Sequence, residues 1–92
     1  MARVFIPPPM RELTGGQTVV DVPGRTLVQV IDNLEQRYPG IRERLIDDED
    51  STRLMPGTAA VVDGDAVIDG LRHELAPDTE VHFLPAMAGG AL

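Results

Sequence analysis

The hydrophobic positions of this 92-residue chain fall into short β-branched runs and one segment with helical spacing. Residues 3–6 and 18–22 form the first two runs, and residues 7–9 between them are three consecutive prolines. Proline cannot donate to a sheet ladder, so the triplet is expected to form a bend or a sheet edge. Gly15-Gly16 adds a strong turn signal. The pattern predicts two strands that pair as an antiparallel hairpin with a wide loop.

A helix is predicted to begin near Thr26 and to stop at Pro39-Gly40. Thr26 and Gln29 have the spacing of a capping box, and the residue before a proline disfavours helical geometry. Apolar residues then recur at intervals of three and four, which predicts one buried stripe. The stripe consists of Leu27, Val30, Ile31, Leu34 and Tyr38.

Residues 41–46 are predicted to add one or two helical turns, with Ile41 and Leu45 pointing inward. Four consecutive acids follow at positions 47–50. They lack the alternating ligands and the glycine of a calcium loop, so the run is interpreted as a solvated loop and not a cation site. Residues 51–57 are expected to form a mobile connector.

The last third of the chain predicts three more strands. Residues 58–62 form one, and Asp63-Gly64 is a tight hairpin signal that leads into residues 66–68. Leu71 and Leu75 flank a short irregular crossing, and a turn at 77–80 precedes the final strand at 81–84.

One helix on one face of a mixed four- to five-stranded sheet satisfies two-layer packing at this length. The predicted fold class is therefore an α+β roll. We expect a domain over residues 1–86 and a flexible tail at 87–92 that contains Gly89-Gly90.

Composition narrows the function classes. The formal net charge of −7 argues against nucleic acid and anionic membranes, because both require a basic surface. The chain has no cysteine, which excludes thiolate metal sites and cysteine nucleophiles. No apolar run approaches the roughly 20 residues of a membrane span, and no signal-peptide pattern is seen, so we expect a cytoplasmic protein.

No catalytic or metal-binding constellation is predicted. His73 and His82 have no further ligand at metal-binding spacing, and His82 alternates with apolar strand residues, so it is expected to face solvent. Asp63, Asp65 and Asp69 are interpreted as turn and surface residues. No nucleophile–base pair or phosphate loop is present, so intrinsic enzyme activity is not expected.

The chain resembles the ubiquitin-like β-grasp sulfur carriers, the group that contains the small molybdopterin-synthase subunit and the thiamine-pathway sulfur carrier. The resemblance covers almost the whole chain. It includes residues 24–27, which open the helix, the hairpin at 61–64 and the turn at 77–81. Its most specific part is Leu-Pro-Ala-Met-Ala-Gly-Gly at 84–90. Several further segments resemble the actinobacterial carrier used for thiocarboxylate-dependent cysteine synthesis: residues 6–7, 13–17 and 41–45.

The resemblance implies a mechanism centred on Gly90. On a separate E1-like enzyme, the Gly90 carboxylate would be adenylated with ATP and then converted to a thiocarboxylate. The thiocarboxylate would supply a sulfur-acceptor synthase in cysteine, molybdopterin or other sulfur-metabolite biosynthesis. Ala88, Gly89 and Gly90 would enter the partner's active site. The chain itself would bind no cofactor and no metal.

Ala91 and Leu92 depart from the family pattern, in which the mature carrier ends at the second glycine. A terminal carboxylate on Leu92 would lie roughly 7 Å from its expected place, since an extended residue spans about 3.3–3.6 Å. Three explanations compete: a precursor that a JAMM-type metalloprotease cleaves between Gly90 and Ala91, a cloning remnant, or a member that no longer carries sulfur. We favour the precursor.

Two other functions remain open from the sequence. The chain could be a protein modifier joined through Gly90 to lysines of its targets, or an interaction module that docks noncovalently. For any of these, we expect the docking face on the side of the sheet away from the helix. Phe5, Val61 and Leu84 are its candidates, although some of them must belong to the core instead.

Overall fold

A computed structural model describes residues 1–85. Short 3₁₀ segments lie at Pro8–Thr14 and Gly70–Arg72. The predicted domain boundary at residue 86 and the tail at 87–92 lie outside the described residues. The strands and helices are β1 (Ala2–Phe5), β2 (Val19–Val22), α1 (Leu27–Arg37), α2 (Arg42–Leu45), β3 (Ala59–Val62), β4 (Asp65–Ala66) and β5 (Glu80–Leu84).

The strands form one mixed sheet in the order β2-β1-β5-β3-β4. β1 and β2 pair as the predicted antiparallel hairpin. The central strands β1 and β5 run parallel, and the remaining pairs are antiparallel. Because β1 and β5 begin at the same end of the sheet, β5 delivers the chain to the opposite end, where Pro85 follows Leu84.

The core lies between α1 and one face of the sheet. The helical stripe is confirmed: Leu27, Val30, Ile31 and Leu34 are fully buried, and Tyr38 packs partly buried beside them. Alternate strand residues point toward the helix, as period-two burial requires. These inward residues include Ala2, Val4, Val20, Val22, Ala60, Val62, Val81 and Phe83. The predicted α+β roll is confirmed.

The start of α1 is fixed by capping and by a close backbone approach. The Thr26 side chain accepts a hydrogen bond from the Gln29 backbone N–H at 3.3 Å, as the capping box predicts. The Gln29 side chain in turn accepts from the backbone N–H of Arg25 at 2.8 Å, one residue earlier than in the standard motif. Gly24 has φ +153°, and a Cβ there would lie 2.7 Å from Val30 Cγ2, so only glycine fits.

The second helical segment also follows the prediction. Ile41 and Leu45 are buried on either side of a single turn. Glu35, on the polar side of α1, accepts hydrogen bonds from the backbone N–H groups of Gly40 and Arg42. These bonds lower the pKa of Glu35 and hold the turn between the two helices.

The interpretation of residues 47–50 as a wholly solvated loop is wrong for Asp47. This side chain is only 5 % exposed and accepts from Nη2 of Arg53 at 2.8 Å. In the connector at 51–57, Leu54 forms an isolated antiparallel bridge with Ile46, and the mobility expected of this segment stays a prediction. From the sequence alone, nothing indicates which acid of the run pairs with an arginine several residues later.

Two further local predictions needed correction. The proline triplet was expected to form a bend or a sheet edge, but Pro8 and Pro9 begin a 3₁₀ helix, Pro8–Thr14. β4 contains only Asp65–Ala66 instead of extending over residues 66–68, although the Val67 N–H still donates to the Ala60 carbonyl at 2.9 Å. Proline at the first positions of the 3₁₀ segment fits, because its missing N–H would have no partner there.

Asp47 is expected to make the stability of the protein sensitive to acid. The Glu49 backbone N–H and then the Arg53 side chain lower the pKa of this carboxyl. A lowered folded-state pKa adds stability above the ordinary carboxyl range of about 4, and this stability is lost as pH falls through the folded value. Replacing Asp47 with Asn should therefore lower the melting temperature at about pH 7, with the difference closing toward about pH 2.

The control for this prediction is Asp48→Asn in the same acidic run. Asp48 is exposed, and it has no hydrogen bond or ion pair among residues 1–85. Thermal unfolding of both variants across this pH interval makes the comparison. Equal melting curves for Asp47→Asn and Asp48→Asn at neutral pH would contradict the role given to Asp47.

Candidate functional site

The face of the sheet that points away from α1 carries a row of four apolar side chains and one histidine, here called the middle row. The register places Phe5 beside Val19 and beside His82, His82 beside Val61, and Val61 beside Ala66. The row therefore crosses all five strands. Its side chains alternate with the buried residues of the core and are partly or largely exposed.

A second apolar row lies closer to the point where the chain leaves β5. Leu84 is 54 % exposed and pairs with Ala59. Ile68 is 95 % exposed and lies two residues beyond Ala66, the last residue of β4. Among the described residues, two of the four large exposed hydrophobic side chains, Val19 and Leu84, therefore belong to this face.

The other end of the same face is charged. Arg3 pairs in register with Asp21 and with Glu80, and its Nε lies 3.7 Å from Asp21 Oδ1. Because β1 and β5 start at this end, the charged row is separated from the chain exit by the middle row. The face thus changes from charged to apolar along the direction in which β5 runs.

The beginning of β5 is held in place by Asp63. Its carboxylate accepts from the Thr79 hydroxyl, and from the Glu80 backbone N–H at 2.8 Å. The hydrogen bond from Thr79, followed by that from Glu80, lowers the pKa of Asp63. Asp63 was interpreted as a turn residue, and it has φ +50° in the predicted tight turn, but it also anchors the strand that leads to the tail.

His82 stacks on Phe5 in the centre of the middle row. The two rings are 4.0 Å apart between centroids and inclined by 8°. His82 Nε2 lies 4.0 Å from Glu80 Oε1. The prediction that His82 faces outward is confirmed, while its stacking partner was missed because β1 and β5 lie at opposite ends of the sequence.

The remaining candidates from the sequence do not converge. His73 Nδ1 lies 2.7 Å from Asp69 Oδ1, next to the second 3₁₀ segment. Asp65 lies exposed in β4. No group of three His, Asp or Glu side chains within residues 1–85 could hold a metal ion. In the same part of the chain, no helix is long and apolar enough to cross a membrane.

The structure brings together the three docking candidates named from sequence. Phe5 and Val61 both flank His82, and Leu84 lies one row further along β5. Val19 and His82 belong to the same face but were not singled out. Ala88, Gly89, Gly90 and Ala91 lie outside the described residues, so their predicted roles stay predictions.

Comparisons with known proteins agree with this architecture. The model of the ThiS family matches residues 4–90. The sulfur carrier protein CysO of Mycobacterium tuberculosis (strain ATCC 25618 / H37Rv) is 40% identical over 89 residues, covering 95% of this chain and 96% of that protein.

Two solved structures have the same fold over nearly the whole chain. The crystal structure of Mycobacterium tuberculosis CysO, described as an antigen, superposes with a TM-score of 0.88 at 36% identity, covering 95% of this chain and 100% of that one. CysO in the Amycolatopsis orientalis BexX/CysO complex gives a TM-score of 0.88 at 34% identity, covering 98% and 100%. This chain therefore belongs to the ThiS family of ubiquitin-like β-grasp proteins, as its hairpin, helix and Gly-Gly motifs predicted.

Proposed function

We propose that this protein is a sulfur carrier whose working group is the carboxylate of Gly90. The observation that carries the proposal is the family match over residues 4–90, which ends on the second glycine. Its similarity to CysO supports the carrier role. Because activation consumes ATP, we place the protein in the cytoplasm.

The proposed chemistry takes place on partner enzymes. On an E1-like adenylating enzyme, a Gly90 carboxylate oxygen attacks the α-phosphorus of ATP and pyrophosphate leaves. Sulfide then attacks the acyl carbon, the bond between that carbon and the AMP oxygen breaks, AMP leaves, and a thiocarboxylate remains. That group passes its sulfur to an acceptor synthase in cysteine, molybdopterin or another sulfur-metabolite pathway. The chain acts as co-substrate and not as catalyst.

We assign these partners to the face of the sheet that points away from α1, here called the outer sheet face. Of its two apolar rows, the second lies beside the chain exit, with Leu84 directly before Pro85. A partner that covers these rows would hold the start of the tail next to its own active site. One relative, CysO of Amycolatopsis orientalis, forms a complex with BexX, which supports docking onto a protein partner.

Removal of Ala91 and Leu92 is part of the proposal. With both residues present, the carboxylate would lie roughly 7 Å beyond the position of the Gly90 carboxylate in an extended tail. A preorganised active site cannot tolerate such a displacement. We propose that a JAMM-type metalloprotease cuts between Gly90 and Ala91.

Intact mass spectrometry tests the proposal with two versions of the chain, one full-length and one ending at Gly90. Each is incubated with the adenylating enzyme of the same organism, ATP and a sulfide source. The Gly90-ending chain should gain an adenylate and then exchange one carboxylate oxygen for sulfur, while the full-length chain stays unchanged. An inert Gly90-ending chain would refute the carrier function, and isopeptide adducts to lysines would favour a modifier instead.

A further inference from the structure

His82 is the polar member of an otherwise apolar middle row. Its neighbours in the row are Phe5 and Val61, and its side chain is 41 % exposed. The parallel stack on Phe5, at 4.0 Å, covers one face of the imidazole and fixes the plane of the ring. The imidazole is therefore held in a fixed orientation, on the surface that a docking partner would cover.

Neither ring nitrogen of His82 forms a hydrogen bond within residues 1–85. The nearest charged atom, Glu80 Oε1, is 4.0 Å from Nε2, which is beyond hydrogen-bond distance. In the free protein, water can satisfy both nitrogens. A partner that covers the middle row removes this water, and a polar group that loses its water without a replacement partner opposes binding.

We infer that His82 determines partner specificity: the adenylating enzyme carries a polar group that hydrogen-bonds the neutral imidazole of His82. Partners that offer only an apolar surface would leave the ring nitrogens unpaired and would be rejected. The inference rests on the proposed function, because the partner is the enzyme that activates Gly90.

The charges around His82 determine how docking should respond to pH. Glu80 faces the ring from the same strand, and Arg3 on β1 pairs in register with Glu80. Asp21 on β2 forms an ion pair with Arg3. From β3, the residue beside His82 is the apolar Val61. Glu80 Oε1 lies 4.0 Å from His82 Nε2, and the Glu80 side chain is half exposed.

Docking therefore favours the neutral ring. Covering the middle row takes the imidazole out of water, and desolvation disfavours its charged form. The affinity for the adenylating enzyme should consequently fall as pH drops through the interval in which imidazoles gain a proton. One linked proton corresponds to a loss of up to about tenfold per pH unit.

Calorimetric titration of the Gly90-ending chain into its adenylating enzyme, from about pH 7.5 to about pH 5.5, tests the inference. The natural sequence should lose about tenfold in affinity across this interval. His82→Phe keeps an aromatic ring against Phe5 but removes both nitrogens. It should bind about tenfold more weakly at neutral pH and show a smaller pH dependence.

One control and one further variant accompany this experiment. His73→Gln changes the only other histidine of the chain, which lies beside Asp69, and should retain the natural pH profile. His82→Leu is a second variant that also removes both nitrogens, and circular dichroism shows which variants are folded.

A folded His82 variant with natural affinity or an unchanged pH profile would overturn the inference, as would a natural chain whose affinity does not change with pH. If the Gly90-ending chain is not adenylated at all, the proposed function fails and this inference fails with it. An adenylated chain with a flat pH profile removes the inference alone.

Discussion

Replacing Gly89 with phenylalanine in a chain that ends at Gly90 is expected to abolish adenylation and leave the fold unchanged. Glycine has no side chain, so a Gly-Gly tail can enter a channel that excludes larger residues. The reacting carboxylate must also be placed to within about an ångström, and a misplacement of that size costs about a hundredfold in rate. We therefore expect at least a hundredfold loss in ATP–pyrophosphate exchange.

We expect the fold to be unaffected because the core of residues 1–85 is built from residues between Ala2 and Phe83. The melting curve of Gly89→Phe should therefore match that of the unsubstituted chain. Met87→Phe is the control, since it exchanges one large tail side chain for another and should remain active. Normal exchange activity in Gly89→Phe would contradict the channel argument.

Much of the fold could be predicted because its determinants are local. The α1 stripe recurs at helical spacing, and Asp63-Gly64 carries its own turn signal; both are confirmed. The contact between Asp47 and Arg53 was missed because nothing in the acidic run distinguishes Asp47 from its neighbours. The stack of Phe5 on His82 depends on the parallel pairing of β1 with β5, and the sequence near these strands carries no local signal for that pairing.

The candidate site likewise has a part that local sequence signals predict and a part that depends on strand pairing. Phe5, Val61 and Leu84 could be named as docking candidates, but a one-residue register shift would have buried them, and only the strand pairing decides this. The structure places all three on the outer face. The motif at 84–90 predicts where the chemistry occurs only through its family resemblance. The physical chemistry of two glycines alone gives them no reactivity.

Leu84→Arg is expected to weaken docking without disturbing the fold. Leu84 is 54 % exposed and lies beside the chain exit, so a partner that covers the outer face would bury it. A charged side chain there would lose its water on docking, and disrupting a hot-spot residue of an interface costs about thirtyfold in affinity or more. We expect the KM for the carrier to rise by at least this factor while kcat changes little.

Measuring KM and kcat separately distinguishes the docking role of Leu84 from the role of the Gly89-Gly90 tail in placing the reacting carboxylate. An interaction that is equal in the ground state and the transition state affects KM alone, whereas misplacing the reacting carboxylate lowers kcat. Gln36→Arg adds the same charge on the exposed side of α1, away from the outer face, and should leave both constants unchanged. Equal effects of Leu84→Arg and Gln36→Arg would mean that bulk charge governs docking and that the outer sheet face is not the interface.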